Sequence, residues 1–141
     1  MKKHYSLQLI FLFIGFTSIA QTKAVEEDLI KRVLKTNLAA LEKEDAKLEQ
    51  STIHSKSPFY ASTPEQAKQL FEKYDLKYDL LSFKMVQLYE DSASVEITQS
   101  VKKIQGPPFQ NTKMTILQIM KKEKGEWKIL NSRIDKVEKI P

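Results

Sequence analysis

The sequence of 141 residues contains no cysteine, which excludes disulfides, thiolate metal sites and cysteine nucleophiles together. Histidine is nearly as scarce: His4 and His54 are the two present, so a zinc site built from nitrogen and sulfur ligands is set aside. Three glycines and five prolines are too few for long disordered linkers. Neither a glycine-rich phosphate loop nor a GxSxG nucleophile turn occurs. The longest apolar run, residues 7–16, is shorter than the roughly 20 residues a membrane-spanning helix needs.

That run has another reading. Lys2, Lys3 and His4 precede it, and Ser18 and Ala20 place small residues at minus three and minus one of a cut before Gln21, the pattern of a secretory signal peptide. Residues 1–20 are therefore expected to be removed, leaving residues 21–141 as one exported domain, periplasmic or secreted, with no stable membrane anchor after cleavage. The mature charge is 21 basic against 18 acidic side chains, but residues 101–141 hold 10 basic and 4 acidic. The lysines are spread singly or in pairs with no aromatic interleaving, so a solvated strand face is expected and nucleic acid is not an expected partner.

Along the mature chain the apolar period is first helical. Ile30, Val33, Leu34, Leu38 and Leu41 make one stripe of a helix over residues 25–41, with Glu26, Glu27 and Asp28 at its N-terminal end, where the helix dipole favours anions. Asn37 falls inside that stripe, where an amide must find partners or line a cavity. Ala46, Leu48 and Ile53 prolong an apolar side into a second helical piece. Thr63, Pro64 and Gln66 then read as a capping box opening a third helix, whose buried face is Ala67, Leu70, Phe71 and Tyr74.

Alternation takes over at residue 76. Over residues 76–89 both sides are partly apolar, Leu81, Phe83 and Met85 against Leu80, Val86 and Leu88, and the facing is ambiguous. Val95, Ile97, Gln99 and Val101 form the inward set of a second strand. After Gly106, Pro107 and Pro108, residues 112–134 read as a long antiparallel hairpin whose break is Lys122 to Glu126. Helices first and an antiparallel meander second give an α+β fold with N-terminal helices packed on one face of a curved, mostly antiparallel sheet.

The ending GEWKILNSRI, after helical segments and two earlier strands, resembles the C-terminal strand of the nuclear transport factor 2-like, cystatin-like cone superfamily, which includes ketosteroid isomerases, scytalone dehydratases and polyketide cyclases. The resemblance implies a cone-shaped sheet, a bend near Glu44 and Asp45, a pocket between the concave sheet face and the helices, and sheets that pair into dimers. It also implies an aspartate or histidine acid/base in the pocket. His54 sits where the family often has a histidine, whereas Asn131 and Arg133 stand where several members carry histidines.

A neutral amide relays no proton, and arginine is too basic to do so. Asp79 shares parity with Leu81 and Phe83 and is the carboxylate that can face inward, unless a bulge reverses that parity. The expected cavity lining is Asn37, His54, Tyr60, Tyr74, Gln99, Gln118, Asn131 and Arg133, which suits a small, partly apolar, anionic molecule bound without catalysis; the same residues equally fit a satisfied polar core, in which case the domain binds a protein partner without catalysis. No cofactor or metal is expected; Trp127, Met114 and Met120 are read as packing. The rival reading is an isomerase, dehydratase or cyclase with His54 as acid/base, assisted by Tyr60, Asn131 or Arg133. Leu117, Ile119, Leu130 and Ile134, placed on the sheet face the helices leave bare, predict a homodimer through that outer face.

Overall fold

The computed structural model describes residues 19–141, with side chains from Thr22 onward. The expected signal peptide lies outside the described residues except for Ile19 and Ala20. Three helices, α1 (Ile19–Glu42), α2 (Ala46–Ser51) and α3 (Thr63–Lys73), precede four strands, β1 (Asp75–Leu88), β2 (Ser92–Gln105), β3 (Thr112–Glu123) and β4 (Glu126–Lys139). The strands form one antiparallel sheet in chain order. This is the α+β layering expected from the periodicities.

The bend between α1 and α2 falls where the resemblance put it. Glu44 takes a positive φ of 55°, which ends α1, and Asp45 then caps α2 by accepting the Leu48 N–H at 2.9 Å. The start of α3 differs from expectation. Its N-cap is Ser62, which makes no side-chain cap, while the Thr63 hydroxyl donates backward to the Phe59 carbonyl at 2.8 Å. Thr63 is buried, so packing against the preceding loop decides its hydroxyl's direction and the capping box does not form.

Facing in β1 is settled by two bulges. Leu80 pairs with Gln99 and Ser82 with Thr98, so Leu81 is left over; Met85 pairs with Val95 and Gln87 with Ser94, so Val86 is left over. Each extra residue reverses the alternation. Leu80, Phe83, Met85 and Leu88 consequently all pack on the core, whereas Leu81 and Val86 are exposed. The same device corrects Asp79: it pairs with Ser100 on the convex side, and its neighbours Tyr78 and Leu80 take the concave positions opposite Val101 and Gln99.

The core lies between that concave face and the helices. Ile30 and Leu34 of α1 meet Val95, Ile97, Ile116, Met120, Trp127 and Ile129, with Ile53 inserted beside them. Ile30, Val95, Ile97 and Met120 are fully buried, each worth roughly 1.5 to 3 kcal/mol of transfer free energy. Gln99 and Gln118 share this inner face, as the β2 pattern predicts. Trp127 and Met120 are packing residues, as read from the strand spacing, and Met114 packs against the same cluster half-buried.

In β4 two further bulges leave out Leu130 and Asp135. Ile134 therefore pairs with Ile116 and belongs to the concave set, not to the outer face where strict alternation put it. The hairpin turn is tighter than Lys122 to Glu126: Glu123 pairs with Glu126, and Lys124 and Gly125 have φ of 50° and 79°, both positive as a two-residue type I′ turn requires. Gly106 is the more constrained glycine. Its φ is 131°, and a Cβ there would stand 2.7 Å from the Lys73 carbonyl oxygen and 2.8 Å from the Tyr74 ring.

The two glycines accordingly separate in a substitution test. Gly106→Ala is expected to cost about 2 to 4 kcal/mol, combining strain with a backbone clash. Gly125→Ala, with nothing within 4 Å of its added methyl, should cost about 1 kcal/mol from φ alone. Urea unfolding midpoints measure both, and equal losses would mean that the Lys73 to Tyr74 contact yields freely.

Candidate functional site

The eight residues expected to line one cavity are divided among several places. Gln99 and Gln118 are buried on the concave face, and the Gln118 amide oxygen accepts a hydrogen bond from the Ser132 hydroxyl. Tyr60 is half-buried against the same core. Asn37 donates to the Thr52 hydroxyl at 2.8 Å, which in turn donates to the Glu49 carbonyl at 2.6 Å, so this amide is a satisfied tie between α1 and the end of α2. Tyr74 caps α3, packs edge-on against Phe109 at 5.3 Å, and lines a separate surface cleft with Glu44, Phe71 and Gly106.

Asn131 and Arg133 do not face the core. They pair with Ile119 and Leu117 and share the convex face, because the bulge at Leu130 shifts their phase by one residue. Arg133 is held by Asp135 through contacts of 2.6 and 3.2 Å. That hydrogen bond and charge raise the guanidinium above its ordinary range and lower the carboxyl below its own. The strand alternation carried no sign of the bulge.

His54 is buried at 4% exposure. Its backbone N–H donates to the Ile129 carbonyl at 2.9 Å, and the Ile129 N–H donates to the Thr52 carbonyl at 2.8 Å, a short parallel bridge that stitches the loop to β4. The imidazole Nδ1 accepts the Lys56 N–H at 3.0 Å. Glu123 stands 3.7 Å from Nδ1 and accepts from both Ser55 hydroxyl and N–H. Those Ser55 bonds, with His54 and Lys128 adding smaller contributions, hold the Glu123 carboxyl below its usual range. His54 thus anchors a loop, and Asn131 and Arg133 lie across the sheet from it.

An open cleft of about 330 Å³ is formed where α1 passes the end of α2 and the β3–β4 turn. Leu29, Val33 and Trp127 supply apolar wall; Thr36 and Ser51 supply hydroxyls; Arg32 and Lys128 supply positive charge. Arg32 is exposed and makes no ion pair among the described residues. Lys128 donates to the Ser51 carbonyl and lies 3.6 Å from Glu126. The far side of Trp127 is already occupied: its indole N–H donates to Glu26, and Lys122 sits 4.9 Å over the ring. The indole is thereby fixed, and its remaining edge is a rigid wall of the cleft. Sequence reading singled out none of these residues for binding, since Arg32 lies on a polar helix face and meets Lys128 only through tertiary packing.

Glu49 was also missed. Its Oε2 is out of reach of solvent and has no hydrogen-bond partner, and burial pushes its carboxyl up to about 7. Tyr78, on the concave side of β1, is pushed up to about 12 by burial first and then by the charges of Glu49 and Glu42. Glu42 itself accepts the Tyr78 N–H at 2.9 Å. The described residues include no group of three His, Cys, Asp or Glu side chains able to hold a metal.

Residues 32–140 match the family described as anti-sigma-I factor RsgI9, C-terminal domain. No curated protein matches the chain. Solved structures share the fold at low identity. A Mycobacterium tuberculosis protein of unknown function is 11% identical, with a TM-score of 0.76 over 85% of this chain and 76% of that one. A protein of unknown function with a cystatin-like fold from Nostoc punctiforme is 14% identical, with a TM-score of 0.66 over 79% and 90%. A nuclear transport factor 2-like protein from Cytophaga hutchinsonii is 15% identical, with a TM-score of 0.64 over 76% and 94%. The nuclear transport factor 2-like, cystatin-like cone fold is therefore that of this chain.

The buried carboxyl makes stability depend on pH. Because Glu49 titrates near 7 in the folded chain and near 4.5 when free, the folded state binds the extra proton between those values. Stability is then greatest below about pH 4.5 and falls as pH rises toward 7. Discounted for solvent screening of a half-buried group, the loss is about 1 to 2 kcal/mol. Glu49→Gln should be more stable than the parent by that amount at about pH 8 and equal to it near pH 4.5. Urea melts at the two pH values measure this; a constant difference would show that the carboxyl is solvated.

Proposed function

The chain belongs to the family of the anti-sigma-I factor RsgI9 C-terminal domain, and from that premise we propose that it is an exported binding domain that recognises a small anionic molecule without turning it over. The observation that carries the proposal is the cleft between α1, α2 and the β3–β4 turn, where Arg32 is free to meet a ligand anion. An apolar wall with hydroxyls and two cations, of which Lys128 is paired with the lining carboxylate of Glu126 and Arg32 is not paired among the described residues, suits a compact apolar or aromatic body ending in a carboxylate. The family's name is that of a regulator, which favours recognition over catalysis.

The geometry supports the non-catalytic reading. A proton-transfer site needs acid, base and charge-stabilising groups around one substrate, and His54, Asn131 and Arg133 do not surround a common space. Export rests on the basic, apolar and small-residue pattern of residues 1–20. A cut before Gln21 falls early in α1, two turns or more ahead of Ile30, the first fully buried residue among its described side chains. Among the described residues no helix is long and apolar enough to cross a membrane.

Isothermal titration with a panel of small aromatic and aliphatic carboxylates tests the binding. Saturable binding should appear for some members, and Arg32→Ala should weaken it about tenfold to a hundredfold, the worth of one charge-assisted hydrogen-bonded contact. If no carboxylate binds, or if Arg32→Ala binds as the parent does, the cleft is not the ligand seat. N-terminal sequencing of the chain recovered outside the cytoplasm should begin at Gln21.

A further inference from the structure

β4 closes the sheet on one side, pairing with β3 alone. Its free edge is covered at a single point, where Ile129 exchanges backbone hydrogen bonds with Thr52 and His54. From residue 131 to residue 139 no strand lies against that edge among the described residues. A long uncovered strand edge is a template for pairing with another chain.

We propose that this edge pairs antiparallel with the same edge of a second copy, making one continuous eight-stranded sheet. The backbone phase is set by Ile129, whose N–H and C=O both point outward. In an antiparallel ladder such outward groups recur at every second residue, and the bulges at Leu130 and Asp135 carry the phase to Ser132, Ile134, Val137 and Lys139. These residues pair with Gln118, Ile116, Met114 and Thr112, so their side chains lie on the concave side. Ile134 and Val137 are each 57% exposed, an apolar pair on the core face beyond the reach of the helices.

The sequence of this edge is complementary to itself in more than one register, and one of them also matches the backbone phase at every outward-pointing pair. With the two-fold axis between Asp135 and Lys136, Ile134 falls opposite the second copy's Val137, and Arg133 falls opposite the second copy's Glu138. Asp135 then faces the second copy's Lys136. Both outward-pointing pairs, Ile134 with Val137 and Ser132 with Lys139, match in phase, as hydrogen-bonded pairs must. Moving the register by one residue sets Asp135 against Asp135 or Lys136 against Lys136. Within one copy the same charges make pairs along the strand, Arg133 with Asp135 at 2.6 Å and Lys136 with Glu138 at 3.1 Å, so the edge is neutral in net charge over residues 133–138 and does not repel its twin.

The convex face is the less suitable surface. Leu117 and Ile119 are only half-exposed there, and Glu96, Lys113, Lys121 and Arg133 stand among them by strand pairing. Self-association expected from the sequence is thus reassigned from the outer face to the β4 edge, because Ile134 faces the other way.

Sedimentation equilibrium of the purified chain across a dilution series is the test, with circular dichroism confirming that each variant is folded. The chain should dimerise at micromolar concentration. Arg133→Glu, which places Glu against the second copy's Glu138 twice per dimer, should weaken dimerisation about tenfold or more. Adding Glu138→Arg to that variant should restore it, an effect that loss of folding cannot imitate. Val137→Lys should abolish association, and Leu117→Lys on the convex face should leave it intact. A chain that is monomeric throughout, a charge swap without rescue, or a dimer dissolved by Leu117→Lys and not by Val137→Lys overturns the proposal.

Discussion

The apolar core residues of this sheet share its concave face because five residues are expelled from register. Leu81 and Val86 in β1, Ile104 in β2, and Leu130 and Asp135 in β4 each stand as the extra member of a bulge. Without them, period-two alternation would turn Phe83 and Met85 out while Leu80 faced in, and would turn Ile134 and Val137 to opposite faces. Bulges also add local twist and bend; four of them sit in the first and last strands, and the fifth, at Ile104, lies near the end of β2 against β1. The central pair, β2 with β3, runs without a register shift and carries the most deeply buried residues, Val95, Ile97 and Met120.

Onto that face the N-terminal half is fastened by polar contacts as much as by packing. The single bridge of Ile53 to Ile129, the chain from Asn37 through the Thr52 hydroxyl to the Glu49 carbonyl, and the loop held by His54, Ser55 and Glu123 converge on the start of β4. A buried amide or imidazole without partners costs about 1 to 3 kcal/mol, and here each has one. The polar residues that looked like a dispersed active site are therefore mostly joints. Glu49 is the exception, with an oxygen left unpaired in the interior.

The cleft and the open edge lie at the two ends of β4. Near the turn, Trp127 and Lys128 form part of the cleft with Arg32; beyond Ile129, the helices and the short bridge no longer cover the strand, and Ile134 and Val137 are left in solvent. One strand thus forms part of a cleft beside Arg32 at its start and leaves an uncovered edge toward its end. The parity change at Leu130 separates the two and sends Asn131 and Arg133 to the convex side.

Much of the fold was legible in the residues alone. Periodicity in residues 30–41, the proline and apolar spacing of residues 64–74, and the alternation of residues 93–101 each report a single local preference, burial of one face, that needs no distant partner to be stated. Composition excluded thiolate chemistry for the same reason: it is a property of side chains, not of their arrangement. What the tertiary structure decided was phase and proximity. A bulge is created by what the neighbouring strand demands and leaves no mark in the sequence of its own strand, so the facing of Asp79, Asn131, Arg133 and Ile134 could be known only from register. The meeting of Arg32 with Lys128, and the burial of Glu49 beside Tyr78, join residues far apart in the chain; no local spacing encodes them, because they exist only once α1, α2 and the sheet have closed on one another.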